Sequence, residues 1–115
     1  MSQQFTSLLA LPLLAAAAIT ANRFVTPAAQ QAGADANTLG VARATAASGE
    51  RTVVDAIGTA VVETGGAFSA GASIKSDASG RAILWATSGA KVAVALEAST
   101  AAGQFVEVLL IPNVA

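Results

Sequence analysis

Ser88 and Lys91 stand three residues apart, the spacing at which a lysine amine can take the proton of a serine nucleophile. That chemistry needs a helical pocket and supporting groups, whereas Gly89 between them marks a turn ahead of a strand. Lys75 has Ala72 at the same offset and forms no such pair. Histidine, cysteine and tyrosine are absent, which removes histidine-dependent nucleophiles, disulfides, and thiolate or imidazole metal ligands. The carboxylates Asp35, Glu50, Asp55, Glu63, Asp77, Glu97 and Glu107 are scattered singly, none at the spacing of a metal loop. Ser76-Asp77-Ala78-Ser79-Gly80 carries fragments of a calcium loop but lacks its bidentate glutamate, and reads as a tight turn. Gly65-Gly66 and Gly71 lack the Gly-Lys-Ser/Thr ending of a phosphate cradle. The residues therefore predict no catalytic centre, no cofactor and no metal. Trp85, the single tryptophan, is expected as an anchor in the core or at an oligomer interface, and Phe68 likewise.

The elements that must hold these residues repeat. Val41-Ala42-Arg43-Ala44-Thr45-Ala46-Ala47-Ser48-Gly49-Glu50 returns, position for position, as Ala95-Leu96-Glu97-Ala98-Ser99-Thr100-Ala101-Ala102-Gly103-Gln104. Upstream, Ile19-Thr20-Ala21-Asn22 is answered by Phe68-Ser69-Ala70-Gly71. Two half-units, about residues 19–63 and 68–112, are expected to share one core within a single domain over residues 19–115.

Short runs punctuated by turn residues predict strands at 22–26, 39–44, 51–57, 59–63, 73–75, 81–85, 91–96 and 105–111. Gly58 is expected to break the run between 51–57 and 59–63 in a hairpin-like way. In 91–96 large and small residues alternate with period two, placing Val92, Val94 and Leu96 on one face and Ala93 and Ala95 on the other. The 105–111 run is apolar on both faces and predicts a central or covered strand. Helix is expected only as one or two short turns, around 45–48 and 99–102. The fold class is mainly β, a small β-barrel or β-sandwich.

At 115 residues the chain is 54% hydrophobic and only 11% charged, with a formal net charge of −1. About a quarter of it is alanine, so the core is expected to be thin and closely spaced. Nothing supplies the cationic field that nucleic acid requires. So much small apolar surface suits faces covered by neighbours. The leucine-rich stretch from Leu8 to Ile19 is shorter than the roughly 20 residues of a membrane span and is interrupted by Pro12. No Lys or Arg precedes it, against a signal peptide. Residues 1–18 are read as an N-terminal arm or a first element of the domain. Gln3, Gln4, Phe5, Leu8, Leu9 and Leu11 are its candidate partner contacts.

The order and spacing of Leu39-Gly40-Val41-Ala42-Arg43, Gly58-Thr59-Ala60-Val61-Val62-Glu63, Ala70-Gly71, Asp77-Ala78-Ser79-Gly80-Arg81-Ala82, Val94-Ala95-Leu96-Glu97-Ala98, Ala102-Gly103 and Val106-Glu107-Val108-Leu109-Leu110 resemble the small head decoration, or capsid cement, proteins of tailed bacteriophages. The resemblance covers roughly residues 19–113. It implies a β-rich virion protein, made in the host cytoplasm, that binds the major capsid protein on the outside of the expanded capsid and stabilises the lattice. A homo-oligomer is implied, a trimer ahead of a dimer, with no catalytic residues. Alternatives from other classes are a tail or baseplate structural protein and a surface carbohydrate-binding module. The latter would present several exposed aromatics, and the chain has only Trp85 and four phenylalanines.

Overall fold

The computed structural model describes residues 7–112, all of them strand, turn or loop. Eight strands form in chain order: β1 (Ser7–Leu14), β2 (Phe24–Val25), β3 (Gly40–Ala42), β4 (Arg51–Glu63), β5 (Ser73–Ser76), β6 (Ala82–Leu84), β7 (Ala93–Ala95) and β8 (Phe105–Leu110). The sheet order is β2-β3-β4-β8-β7-β5-β6, with β1 added to β4. Thr64, just beyond β4, bridges Ala82 of β6, and the Gly65 N–H donates to the Ala82 carbonyl at 2.7 Å. The end of the sheet thereby curls back to β4, in a nearly closed, barrel-like arrangement of the mainly β class expected.

β4 organises the whole. Its first part pairs with β1 and β3, and Thr59 to Glu63 pair with β8. Between them Gly58 has φ 107, a conformation that residues with a Cβ rarely adopt and that bends a strand. Here the structure corrects the sequence reading: Gly58 does not end a strand in a hairpin but bends one continuous strand from one half of the molecule into the other. Gly40 permits the close approach of β3, since a Cβ there would lie 1.9 Å from the Asp55 carbonyl oxygen.

The two halves make matching hydrogen bonds. Ile19 and Ala46 exchange backbone bonds of 2.8 and 2.9 Å, as Phe68 and Ser99 do at 3.0 and 2.9 Å. The Ala15 N–H donates to Glu50 as Thr64 does to Gln104, and Asn22 donates to Ala42 as Gly71 does to Ala95. Asn22 and Gly71 both have positive φ. In the ladders, Val41↔Asp55 is matched by Val94↔Leu109, and Leu14↔Arg51 by Glu63↔Phe105. β1 therefore corresponds to the second part of β4, β2 to β5, β3 to β7, and the first part of β4 to β8. One residue more separates Ser99 from Gly103 than Ala46 from Gly49, so the sequence match holds from the glycine onward and slips by one before it.

These bridges also correct the expectation of helical turns around 45–48 and 99–102. The reciprocal bonds hold Ala46 and Ser99 extended, and Ser99 Oγ lies 3.1 Å from Thr64 Oγ1 and 2.9 Å from the carbonyl oxygens of Gly66 and Ala101. Only the tight turns at Ser48-Gly49 and Ala102-Gly103 remain.

Each half has its own apolar cluster. Ala15, Ile19, Val25, Ala42, Ala46 and Val54 form the first, with Leu13 and Leu39 packed against them. The second contains the counterparts Phe68, Ile74, Ala95, Val108, Val62 and Val92. It also takes in Phe24, Ala32 and Val41 from the first half. Around β7 the small residues Ala93 and Ala95 are buried while Val94 and Leu96 are partly exposed. In a core this narrow the strand backbone comes close to its neighbours, and alanine is what fits beneath it.

Candidate interaction surface

Charged groups are largely spent on one another. Arg23 pairs with Glu63 at 3.1 Å, Arg43 with Asp55 at 2.7 Å, Lys75 with Asp35 at 2.8 Å and Arg81 with Asp77 at 3.2 Å. The hydrogen bond from Lys75 holds the Asp35 carboxyl below the usual carboxylate range, against a smaller opposing effect of burial. The hydrogen bond to Asp55 raises Arg43 in the same manner. Asp77 Oδ1 accepts from the backbone N–H groups of Ser79 and Arg81 at 2.8 Å, closing the β5–β6 hairpin turn. A hollow of about 230 Å³ beside the Arg43–Asp55 pair is lined also by Asn22, Val41, Ala42 and Val61. Its polar groups already face one another, and it holds no reactive constellation.

The Ser88–Lys91 spacing does not produce a nucleophile and base. Ser88 Oγ lies 3.4 Å from Asp35 Oδ2, while the Lys91 ammonium sits 4.3 Å from the centre of the Trp85 ring. Among the described residues no three acidic or imidazole side chains converge in a way that could hold a metal ion.

What the surface does offer is apolar. On β1, Leu8 is 73% and Leu14 56% exposed, with Ala10 and Pro12 also exposed between them, and the pairing with β4 slips register on either side of Leu9. β1 pairs with β4 alone among the described strands, and Pro12, which has no N–H, suits such an edge position. Leu11 and Leu13 lie on the face opposite Ala10, Pro12 and Leu14, and Leu13 enters the first cluster. Leu9 and Leu11 line an open groove of about 310 Å³ with Leu39, Ala56, Ile57, Pro27, Thr38 and Pro112. A second apolar face lies on the other half, where Phe105 and Leu109 are each more than two-fifths exposed; Leu84, also exposed, pairs with the buried Ile74 and so lies on the other side of the sheet. Trp85 is half-buried at its edge and donates its indole N–H to the Gly89 carbonyl at 2.9 Å.

Of the residues singled out in the sequence, Leu8, Leu9 and Leu11 come together on β1. Gln3, Gln4 and Phe5 lie outside the described residues. Phe68 is buried in the second core cluster, and Trp85 stands apart from β1 on the other half. Sequence reasoning missed Leu14, Ile57, Leu84, Phe105 and Leu109. Phe105 and Leu109 have a local signal, their shared phase in the β8 alternation, but nothing local says which phase faces outward.

A family model described as phage cement protein matches residues 3–110. Among solved structures, the chain is similar to the head fiber gp8.5 N base of bacteriophage phi29, with 16% identity and a TM-score of 0.71. That match covers 90% of this chain and 94% of the other. Comparison with curated proteins returns no match.

Proposed function

The chain belongs to the phage cement protein family, and from that premise we propose that it binds the outer surface of the expanded capsid and stabilises the lattice, as a structural protein and not an enzyme. The major capsid protein is its partner there, and the protein acts as a homo-oligomer, a trimer ahead of a dimer, made in the host cytoplasm before it joins the virion. The similar solved chain, itself part of a phage head fiber, supports a place on the head.

The observation that carries the reading is the exposed apolar run on β1. Leu8 is 73% exposed and stands with the exposed Leu9, Ala10, Pro12 and Leu14, and such a run of uncovered apolar side chains on one strand is the kind of patch that a neighbour covers. Leu8 and the residues before it, Gln3, Gln4 and Phe5 included, form the capsid contact in this reading. Leu9 and Leu11 line the groove. Each contact is weak, and repetition over the lattice supplies the strength.

Purified expanded heads lacking the protein provide the test. Leu8→Lys and a chain without residues 1–6 are each titrated onto the heads, with circular dichroism as a folding control. Losing one buried leucine, worth about 1.5–3 kcal/mol, lowers single-site affinity roughly 10- to 100-fold. Undiminished occupancy by both variants would remove the arm from the contact. Heads no harder to rupture when saturated would refute the stabilising role.

A further inference from the structure

The internal repeat sets matching surfaces in two different surroundings. Within the chain, the second half has an end lined by Ala60, Val92 and Leu110, and Phe24, Ala32 and Val41 of the first half belong to the same buried cluster. The ladders and loop bonds identify the matching positions in the first half as Leu11, Leu39 and Ala56: Leu11 faces Val54 as Ala60 faces Val108, and the Leu39 N–H donates to Val25 as Val92 does to Ile74. These three line the open groove on the first half. The same kind of end is thus plugged in one half and open in the other.

The plug has a counterpart too. Phe24 and Val41 correspond to Ser73 and Val94, which pair in the same way. Ala32 corresponds to Trp85, since Ala32 donates to the Phe24 carbonyl at 2.8 Å as Trp85 does to Ser73 at 2.9 Å. Asp55 corresponds to Leu109. Phe24, Val41 and Asp55 are buried at the junction of the halves, whereas Val94, Trp85 and Leu109 are partly or largely exposed. Chemistry changes in step. The junction carries the Arg23–Glu63 ion pair, and the matching positions are Ala72 and the exposed Leu14, so a polar clasp inside the chain becomes apolar at both outer ends.

We propose that a second copy of this chain docks its Val94, Trp85 and Leu109 face on the groove formed by Leu9, Leu11, Leu39 and Ile57, repeating between copies the junction that joins the two halves within one. The contact is head-to-tail, two different faces meeting, and such contacts close into a ring when the rotation per copy allows it. A contact between two different faces excludes a two-fold dimer built on it. The proposal rests on the self-association proposed above but not on capsid binding.

Sedimentation velocity on the full chain without capsid tests it, with Leu109→Arg blocking one face and Ile57→Arg blocking the other. The wild type is expected to be oligomeric, and each variant alone monomeric. A 1:1 mixture is expected to restore a species of two chains, because each variant keeps the face the other lacks. Should either arginine disturb folding, Trp85 in the wild type gives an independent reading: its emission is expected to shift to the red on dilution through the dissociation range. An oligomeric wild type with an oligomeric Ile57→Arg variant, a mixture that stays monomeric, or Trp85 emission that ignores dissociation would each overturn the head-to-tail contact while leaving self-association standing. A wild type monomeric at all concentrations would overturn both.

Discussion

Phe24→Ala separates the account of the core given above from a simpler one. Phe24 belongs to β2 in the first half, yet its side chain is fully buried in the apolar cluster of the second. Truncating a buried phenylalanine costs about 3–5 kcal/mol, the transfer of the lost atoms plus the cavity left behind. A domain of this size loses roughly 4 °C of Tm per kcal/mol, so the expected fall is about 12–20 °C. With a urea slope near 2 kcal/mol/M, the midpoint moves by about 2 M. The assay uses the single tryptophan. Trp85 follows β6 in the second half, so its fluorescence reports on that half, while far-UV circular dichroism reports on both. If Phe24 completes the second core, the two signals move together and by the full amount. A Trp85 transition that stays in place while part of the circular dichroism signal is lost earlier would show that Phe24 stabilises only its own half. A cost below about 1 kcal/mol would show that the site collapses around the loss.

Gly40→Ala is expected to destabilise by about 1–3 kcal/mol or more, because the new methyl meets the Asp55 backbone, which cannot swing aside as a side chain could. Thermal unfolding checks this, and a Tm within a degree of wild type would contradict the close approach of β3 to β4. Lys75→Met removes the main partner that depresses Asp35, so the Asp35 carboxyl is expected to titrate at higher pH than in the wild type by side-chain carbon NMR. The sign follows from the depression. In the wild type the pair's contribution is complete above the ordinary aspartate pKa and is lost as pH falls through the lowered one, so the variant's stability should depend less on pH in that acidic window. An unchanged Asp35 titration would contradict the assignment.

Much of the architecture was legible because strand alternation and turn chemistry are local. Asp77 and Gly80 announced the β5–β6 turn through their own side-chain and backbone preferences. The repeat was visible because each copy needs the same small residues at the same bends, as at Gly49 and Gly103. Gly58 was misread since a glycine between two strand-like runs looks the same whether it ends a strand or bends one; only the partners on either side, β1 and β8, decide. Ala46 and Ser99 were misread as helical because alanine-rich segments favour helix locally, and their partners Ile19 and Phe68 lie far away in sequence.

For the interaction surface the division is sharper. Composition alone determined that this chain carries neither histidine nor cysteine chemistry and that its charge is sparse. Which apolar residues stay outside was decided by tertiary structure. Val41 and Val94 are both valines at the same ladder position, yet one is sealed and the other is partly open. The reason is that the first half has the second half beside it and the second half ends the chain's own packing. A linear sequence records the repeat, but not where the stack of halves stops.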